Sequence, residues 1–234
     1  MRRVLLKLSG EALGGASGAG IRPEVLEHYC TEIREAAAQG LEVAVVLGGG
    51  NLFRGAALAS AGMDRVIGDR MGMLATVMNA LALGSFLTRH RVKNRVFAAV
   101  AIPGIVDGYE RNEVLQTMAE GQVAILSGGT GNPYFTTDTA ACLRGIELGV
   151  DAVLKGTKVD GIYSADPKTD PSAQRFEEIT FDEILQRKLG IMDLTAIVLC
   201  QENDMPLIVF DAGMPGALTD LACGRPVGTK VVHS

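Results

Sequence analysis

Val123-Ala124-Ile125-Leu126-Ser127-Gly128-Gly129-Thr130-Gly131-Asn132-Pro133 is the stretch that decides the fold of this chain. Its first four residues are an apolar run of buried-strand type, and the glycine-rich remainder tolerates unusual backbone dihedrals. Thr136-Thr137-Asp138 then offers three side chains able to cap a helix, ahead of the helical pattern Thr139-Ala140-Ala141-Cys142-Leu143-Arg144. A strand therefore runs through a glycine loop into a helix start. Such a junction gathers unpaired N–H groups at the positive end of a helix dipole, where phosphate can bind. A tight turn with no ligand fits this stretch alone equally well, so the flanking sequence has to decide.

Outward from it, apolar runs at Arg3 to Leu8, Glu42 to Leu47, Arg95 to Ala101, Ala152 to Lys155, Leu207 to Phe210 and Thr229 to Val232 read as further strands. Helical patterns lie between most of them: Pro23 opens one to about Gln39, a long one covers about Arg65 to Arg89, and others cover Phe181 to Lys188 and Asp193 to Asn203, with Asp193 as N-cap. Strands alternating with helices predict a three-layer α/β/α sandwich around a central, mostly parallel sheet. Ligands in such sheets gather at the carboxyl ends of the strands, where the glycine loops fall. Gly156 to Arg175 is turn-rich and polar, and reads as a loop or short hairpin over the sheet edge.

The 234 residues fit one domain with a sizeable core. Hydrophobic residues make up 47%, which excludes a disordered chain. A net charge of −5 argues against a general nucleic-acid or anionic-membrane surface, so any phosphate must be held by local amides, Lys and Arg. Cys30, Cys142, Cys200 and Cys223 are widely spaced, as free thiols in a reducing cytoplasm would be, and His28, His90 and His233 are isolated. The N-terminus has no signal-peptide pattern, and the apolar stretch from Met71 to Leu87 contains Asn79 and suits a buried core helix better than a membrane span. Met71, Met73 and Met78 read as core or subunit-packing residues.

Neither G-x-x-x-x-G-K-[ST] nor G-x-G-x-x-G occurs. Instead, Lys7-Leu8-Ser9-Gly10 ends the first strand, Gly48-Gly49-Gly50-Asn51 with Arg54 ends the second, and the Gly128 loop ends a third. These loops resemble, in order and spacing, those of the amino-acid kinase superfamily and, within it, the bacterial uridylate kinases. The likeness extends through Gly68-Asp69-Arg70-Met71-Gly72-Met73, Lys158-Val159-Asp160-Gly161, Ala165-Asp166-Pro167 and Met192-Asp193-Leu194-Thr195, over essentially the whole chain.

The resemblance implies transfer of the ATP γ-phosphoryl group to UMP, with Mg²⁺ carried on the nucleotide, in pyrimidine nucleotide synthesis. It implies catalytic roles for Lys7, Arg54 and Asp138, the last orienting the lysine. It places UMP against Gly49, Asp69, Thr130, Gly131, Asn132, Pro133, Tyr134, Phe135, Thr136 and Thr137. ATP would meet Lys7, Leu8, Ser9, Gly10, Gly50, Arg54, Thr157, Tyr163 and Asp166. GTP would act as activator at Gly15, Ala16, Ser17, Gly18, Ala19 and Gly20, UTP as feedback inhibitor, and the assembly would be a homohexamer. Residues to about 150 would form mainly the UMP site and the remainder mainly the ATP site. Two other readings stay open: a superfamily kinase with a carboxylate or carbamate acceptor, and a non-catalytic nucleotide- or oxyanion-binding protein of the same fold.

Overall fold

The computed structural model describes residues 1–53, 62–167 and 169–233. Apart from a four-residue helical turn (Gly10–Leu13) and a 3₁₀ turn (Gly15–Ser17) that follow β1, the elements in chain order are β1 (Arg3–Leu8), α1 (Pro23–Ala38), β2 (Glu42–Leu47), α2 (Arg65–Arg89), β3 (Asn94–Ala98), β4 (Asp107–Gly108), α3 (Arg111–Ala119) and β5 (Val123–Ser127). Then come α4 (Thr137–Leu148), β6 (Ala152–Thr157), β7 (Glu178–Thr180), α5 (Phe181–Arg187), α6 (Leu194–Glu202), β8 (Leu207–Asp211), α7 (Ala217–Ala222) and β9 (Thr229–Val232). The strands form one sheet in the order β4-β3-β5-β2-β1-β6-β8-β9-β7. Every pairing is parallel except β8 with β9. The expected mostly parallel α/β/α fold is the one observed.

Because successive strand residues face opposite ways, the apolar runs divide between two cores. Val4, Leu6 and Leu8 of β1, with Val43, Val45 and Leu47 of β2, pack against Leu26, Cys30 and Ile33 of α1, Ala80 and Leu83 of α2, and Leu218 of α7. Leu5, Val46, Leu126 and Val153 face the other way, onto Val114 and Met118 of α3, Ala141 and Cys142 of α4, and Ile197 and Cys200 of α6. By the same parity Lys7 follows Leu5, and Lys155 follows Val153, onto the face that α4 covers.

Local chemistry sets the helix ends. Pro23 opens α1, Asp193 caps α6 by accepting from the Ala196 N–H at 2.9 Å, and Gly149 at φ 61° stops α4. Of the stretch read as a loop from Gly156 to Arg175, Gly156 and Thr157 belong to β6, and an antiparallel bridge joins Tyr163 to Arg175 as in a hairpin. The third strand is shorter than its apolar run suggested: it stops at Ala98, after which the Ala99 N–H bonds back to Ser127 and the chain turns. Strands β4 and β7, of two and three residues, are too short to show a period.

Helix α2 narrows the expectation that its methionines serve the core or subunit packing. It is long and apolar enough to span a membrane, but Ala80, Leu83 and Leu87 bury one face against the sheet and α1, as a core helix does. Its opposite face, Ile67, Met71, Leu74, Met78 and Leu81, is exposed, with Leu74 at 54% and Met78 at 56%. Met71 and Met78 are therefore not core residues of the isolated chain.

Candidate active site

The carboxyl ends of β5, β2, β1, β6 and β8 share one edge of the sheet, and the three glycine loops meet there. Their approach is closer than any side chain allows: a Cβ on Gly10 would lie 2.6 Å from both the Gly50 nitrogen and the Asn51 Oδ1, and one on Gly49 would lie 2.8 Å from the Gly72 carbonyl oxygen. Asn51 and the fully buried Asn79 of α2 exchange side-chain hydrogen bonds at 3.1 and 2.7 Å, and Asn79 also donates to the Gly48 carbonyl at 2.7 Å. That amide pair fixes the second loop from beneath.

The third loop has its glycines where left-handed backbone is required, with φ of 75° at Gly128, 59° at Gly129 and 81° at Gly131. Tyr134 adopts φ 72° without being glycine, and its N–H donates to the Asp69 Oδ2 at 2.7 Å. The Gly128 N–H bonds the Thr76 hydroxyl of α2 at 2.7 Å, so α2 anchors this loop as well. Thr136 is the N-cap of α4, its hydroxyl accepting from the Asp138 and Thr139 amides at 3.0 and 3.4 Å. The helix start thus spends two of its free donors on its own cap.

Fixed charge comes from side chains instead. Lys7 is 6% exposed and pairs with one oxygen of Asp138, while Lys155 donates to the other at 2.7 Å. Burial pushes the Asp138 carboxyl up, but Lys7 and Lys155 together outweigh it and hold the group below the ordinary carboxylate range. Burial pulls the Lys155 ammonium down, opposed by Asp138 and reinforced by Lys7. Asp138, in the first turn of α4, is therefore no cap; it lies between two cations.

Two cavities flank β1. One, about 400 Å³, lies over the ends of β2 and β5 and is lined by Gly49, Asp69, Thr130, Phe135, Thr136 and Thr137 of the residues expected around UMP, and by Gly50, which was expected on the ATP side. Arg65, Phe53, Met73 and Thr76 also line it and were not anticipated. Arg65 pairs with Asp69 at 2.8 Å and lies 5.4 Å from the Tyr134 ring centre, so it sets the carboxylate against the loop. Its spacing four residues before Asp69 on a helix was the available signal. Gly131, Asn132, Pro133 and Tyr134 belong to the same turn but lie off the lining.

The other cavity, about 500 Å³, lies over the ends of β6 and β8 against the start of α1, lined by Thr157, Lys158, Asp211, Tyr29, Gly15 and Ala16 among others. Gly15 and Ala16 of the glycine-rich segment therefore border this space, and Lys158 donates to the Gly15 carbonyl at 3.3 Å. Of the described residues expected around ATP, Thr157 alone lines this cavity, and Lys7, Leu8, Ser9, Gly10, Gly50, Tyr163 and Asp166 lie outside the lining; the Tyr163 hydroxyl donates to Asp160 at 2.7 Å. The Leu8 side chain is fully buried in the core, and its carbonyl accepts from Gly48, whereas the Ser9 hydroxyl caps the short turn after β1 by accepting from Ala12. Arg54 lies outside the described residues.

A phosphate-handling α/β enzyme fold is what these loops, the sheet edge and the lysine–aspartate cluster define, and the chain belongs to the amino acid kinase family, whose model matches residues 2–211. Among curated relatives, a uridylate kinase of Stutzerimonas stutzeri is 54% identical over 233 residues, covering 100% of this chain and 94% of its own length. A uridylate kinase of Marinobacter nauticus is 56% identical over 230 residues, covering 98% and 95%. The solved UMP kinase of Bacillus anthracis superposes with a TM-score of 0.95 at 34% identity, covering 99% of this chain and 96% of that one. That of Ureaplasma parvum gives 0.92 at 36%, covering 99% and 98%.

Proposed function

We infer that this chain transfers the γ-phosphoryl group of ATP to UMP, giving ADP and UDP, as its uridylate kinase relatives are named for doing. One observation carries the reading: two nucleotide-sized cavities lie on either side of β1, and β1 ends in the buried Lys7 that Asp138 and Lys155 hold. In the reaction an ionised oxygen of the UMP phosphate bonds to the γ-phosphorus as the bond to the β–γ bridging oxygen breaks. No strong general base is needed, because the attacking oxygen already carries charge at neutral pH. The task is positioning and neutralisation of spreading negative charge, which a pre-placed ammonium performs.

UMP is assigned to the cavity of Asp69 and Thr130 to Thr137, with Asp69 accepting from the ribose hydroxyls. ATP is assigned to the cavity of Thr157, its phosphates reaching Ser9 and Gly10 where Gly10 lies against Gly50 of the acceptor cavity, with Tyr163 and Asp166 on the adjoining loop. This makes the first 150 or so residues mainly the acceptor half of a single domain. Arg54 is assigned to the transferring phosphates by family likeness alone. Among the described residues no group of three or more His, Cys, Asp or Glu side chains converges to hold a metal ion, and Asp138 is engaged by two lysines. By the family resemblance Mg²⁺ is assigned to the phosphates of ATP, where it would add positive charge, and no residue is given to it.

The exposed stripe Ile67, Met71, Leu74, Met78 and Leu81 supports assembly with further copies of the chain, for which we propose a hexamer in the cytoplasm. GTP is proposed as activator through Gly15 to Gly20, and UTP as inhibitor. Supporting the first, the Asn51 amide donates to the Gly20 carbonyl at 2.7 Å and joins that segment to the Asn79 and Gly48 network.

A coupled assay with MgATP and UMP, CMP, dUMP, dTMP, glutamate or aspartate as acceptor tests the assignment. UDP from UMP is expected as the dominant product. Faster turnover of a carboxylate acceptor would replace the reading with the other superfamily kinase, and tight nucleotide binding without UDP would leave a binding protein. GTP titrated into the same assay should raise the velocity.

A further inference from the structure

We infer that Lys155 is a positioning residue of the phosphoryl-transfer site, holding Asp138 from the side opposite Lys7 so that Lys7 keeps charge available for phosphate; this rests on the function proposed above. Lys7 and Lys155 are register partners across the parallel pair β1 and β6, on the same face of the sheet. Neighbouring strands lie about 4.8 Å apart, so two ammonium groups on one face repel unless an anion separates them. Asp138 does so with one oxygen for each. The Lys155 ammonium also donates to the Ile191 carbonyl, just ahead of α6. The α6 cap Asp193 in turn accepts from the hydroxyls of Thr136 and Thr139 at the start of α4. Lys155 therefore joins β6, α4 and the chain leading into α6 at one point.

Charge counting separates this role from simple stabilisation. With Lys155 present, two cations share one carboxylate, and the cluster carries one net positive charge toward the incoming phosphates. Without it, Asp138 closes on Lys7 with both oxygens and the pair is neutral. A buried ammonium is also costly where an apolar side chain would pack. Lys155 stands in a strand whose neighbours Val153 and Leu154 are fully buried. Its place in the fold is explained by what it does to Asp138.

The test is steady-state UDP formation by full-length Lys155→Met, Lys155→Gln, Lys155→Arg, Asp138→Asn and the Lys155→Met/Asp138→Asn double variant. Lys155→Met is expected to lower kcat about 10- to 100-fold while KM for UMP and ATP moves less than about threefold. Lys155→Arg should recover at least about tenfold of that loss. In the Asp138→Asn background the same Lys155→Met change should matter less than about threefold, since its effect passes through Asp138. Lys155→Gln, which keeps a donor without the charge, should fold even if the Met variant does not, and should lose rate in the same way. Unchanged kcat in a folded Met or Gln variant overturns the inference, as does a loss of equal size with and without Asp138. Wild-type turnover in parallel separates the two readings: silence in every protein sinks the proposed reaction, whereas full activity in the Lys155 variants alongside a slowed Asp138→Asn sinks only the role of Lys155.

Discussion

Replacing Lys7 by Met should separate chemistry from stability at this site. The substitution keeps most of the stem of a side chain that is only 6% exposed, so it opens little cavity. Removing one partner of a buried ion pair normally costs about 3–5 kcal/mol, because the other charge is stranded. Here it is not stranded, since Asp138 keeps Lys155 at 2.7 Å and Lys155 is freed of the repulsion from Lys7. The stability change should therefore stay within about 1.5 kcal/mol, a Tm shift within about 6 °C for a chain of this size. Catalysis has no such backup: one preorganised donor removed from developing charge costs about 2.7–4 kcal/mol, or 10²- to 10³-fold in kcat. Asp138→Ala is the control. It leaves two register-paired ammonium groups facing each other uncompensated, and should lower Tm by about 6–20 °C. Thermal melts and a UDP-forming assay on both variants decide the matter. Lys7→Met turning over within about fivefold of wild type, or melting as early as Asp138→Ala, would refute the reasoning.

Gly10→Ala forces a Cβ to 2.6 Å from backbone and side-chain atoms of the second loop, so it should cost about 1–3 kcal/mol by overpacking and lower Tm by about 2–12 °C, read by calorimetry. Asp69→Asn removes the charge that Arg65 pairs with and weakens the acceptor to the Tyr134 amide; KM for UMP should rise about tenfold or more with KM for ATP unchanged, in steady-state kinetics. The Asp138 carboxyl is held low, so its folded pKa lies beneath the unfolded one. Its contribution to stability is whole at neutral pH and is lost as pH falls below about 4, a loss that urea melts across pH should show in wild type and not in Asp138→Asn. Leu74→Glu places charge in the exposed stripe of α2 and, if the proposed assembly uses that stripe, should shift sedimentation velocity toward smaller species, with the fold intact by circular dichroism.

Sequence by itself determined the parts that are local. The apolar runs of β1, β2, β5, β6 and β8 alternate with capped helices, and that period is enough to specify a parallel sheet whose loops gather at one edge. The glycines of the third loop stand where φ must be positive, which a residue type can announce without knowledge of its neighbours. What the period cannot carry is register. That Lys7 lies beside Lys155, that Asp138 enters between them, and that Arg65 turns Asp69 toward Tyr134 all depend on which strand pairs with which and on how α2 and α4 cross the sheet. Likewise the outward turn of Met71 and Met78 follows from which side of α2 meets the sheet, since both faces of that helix are apolar and hydropathy alone does not choose between them.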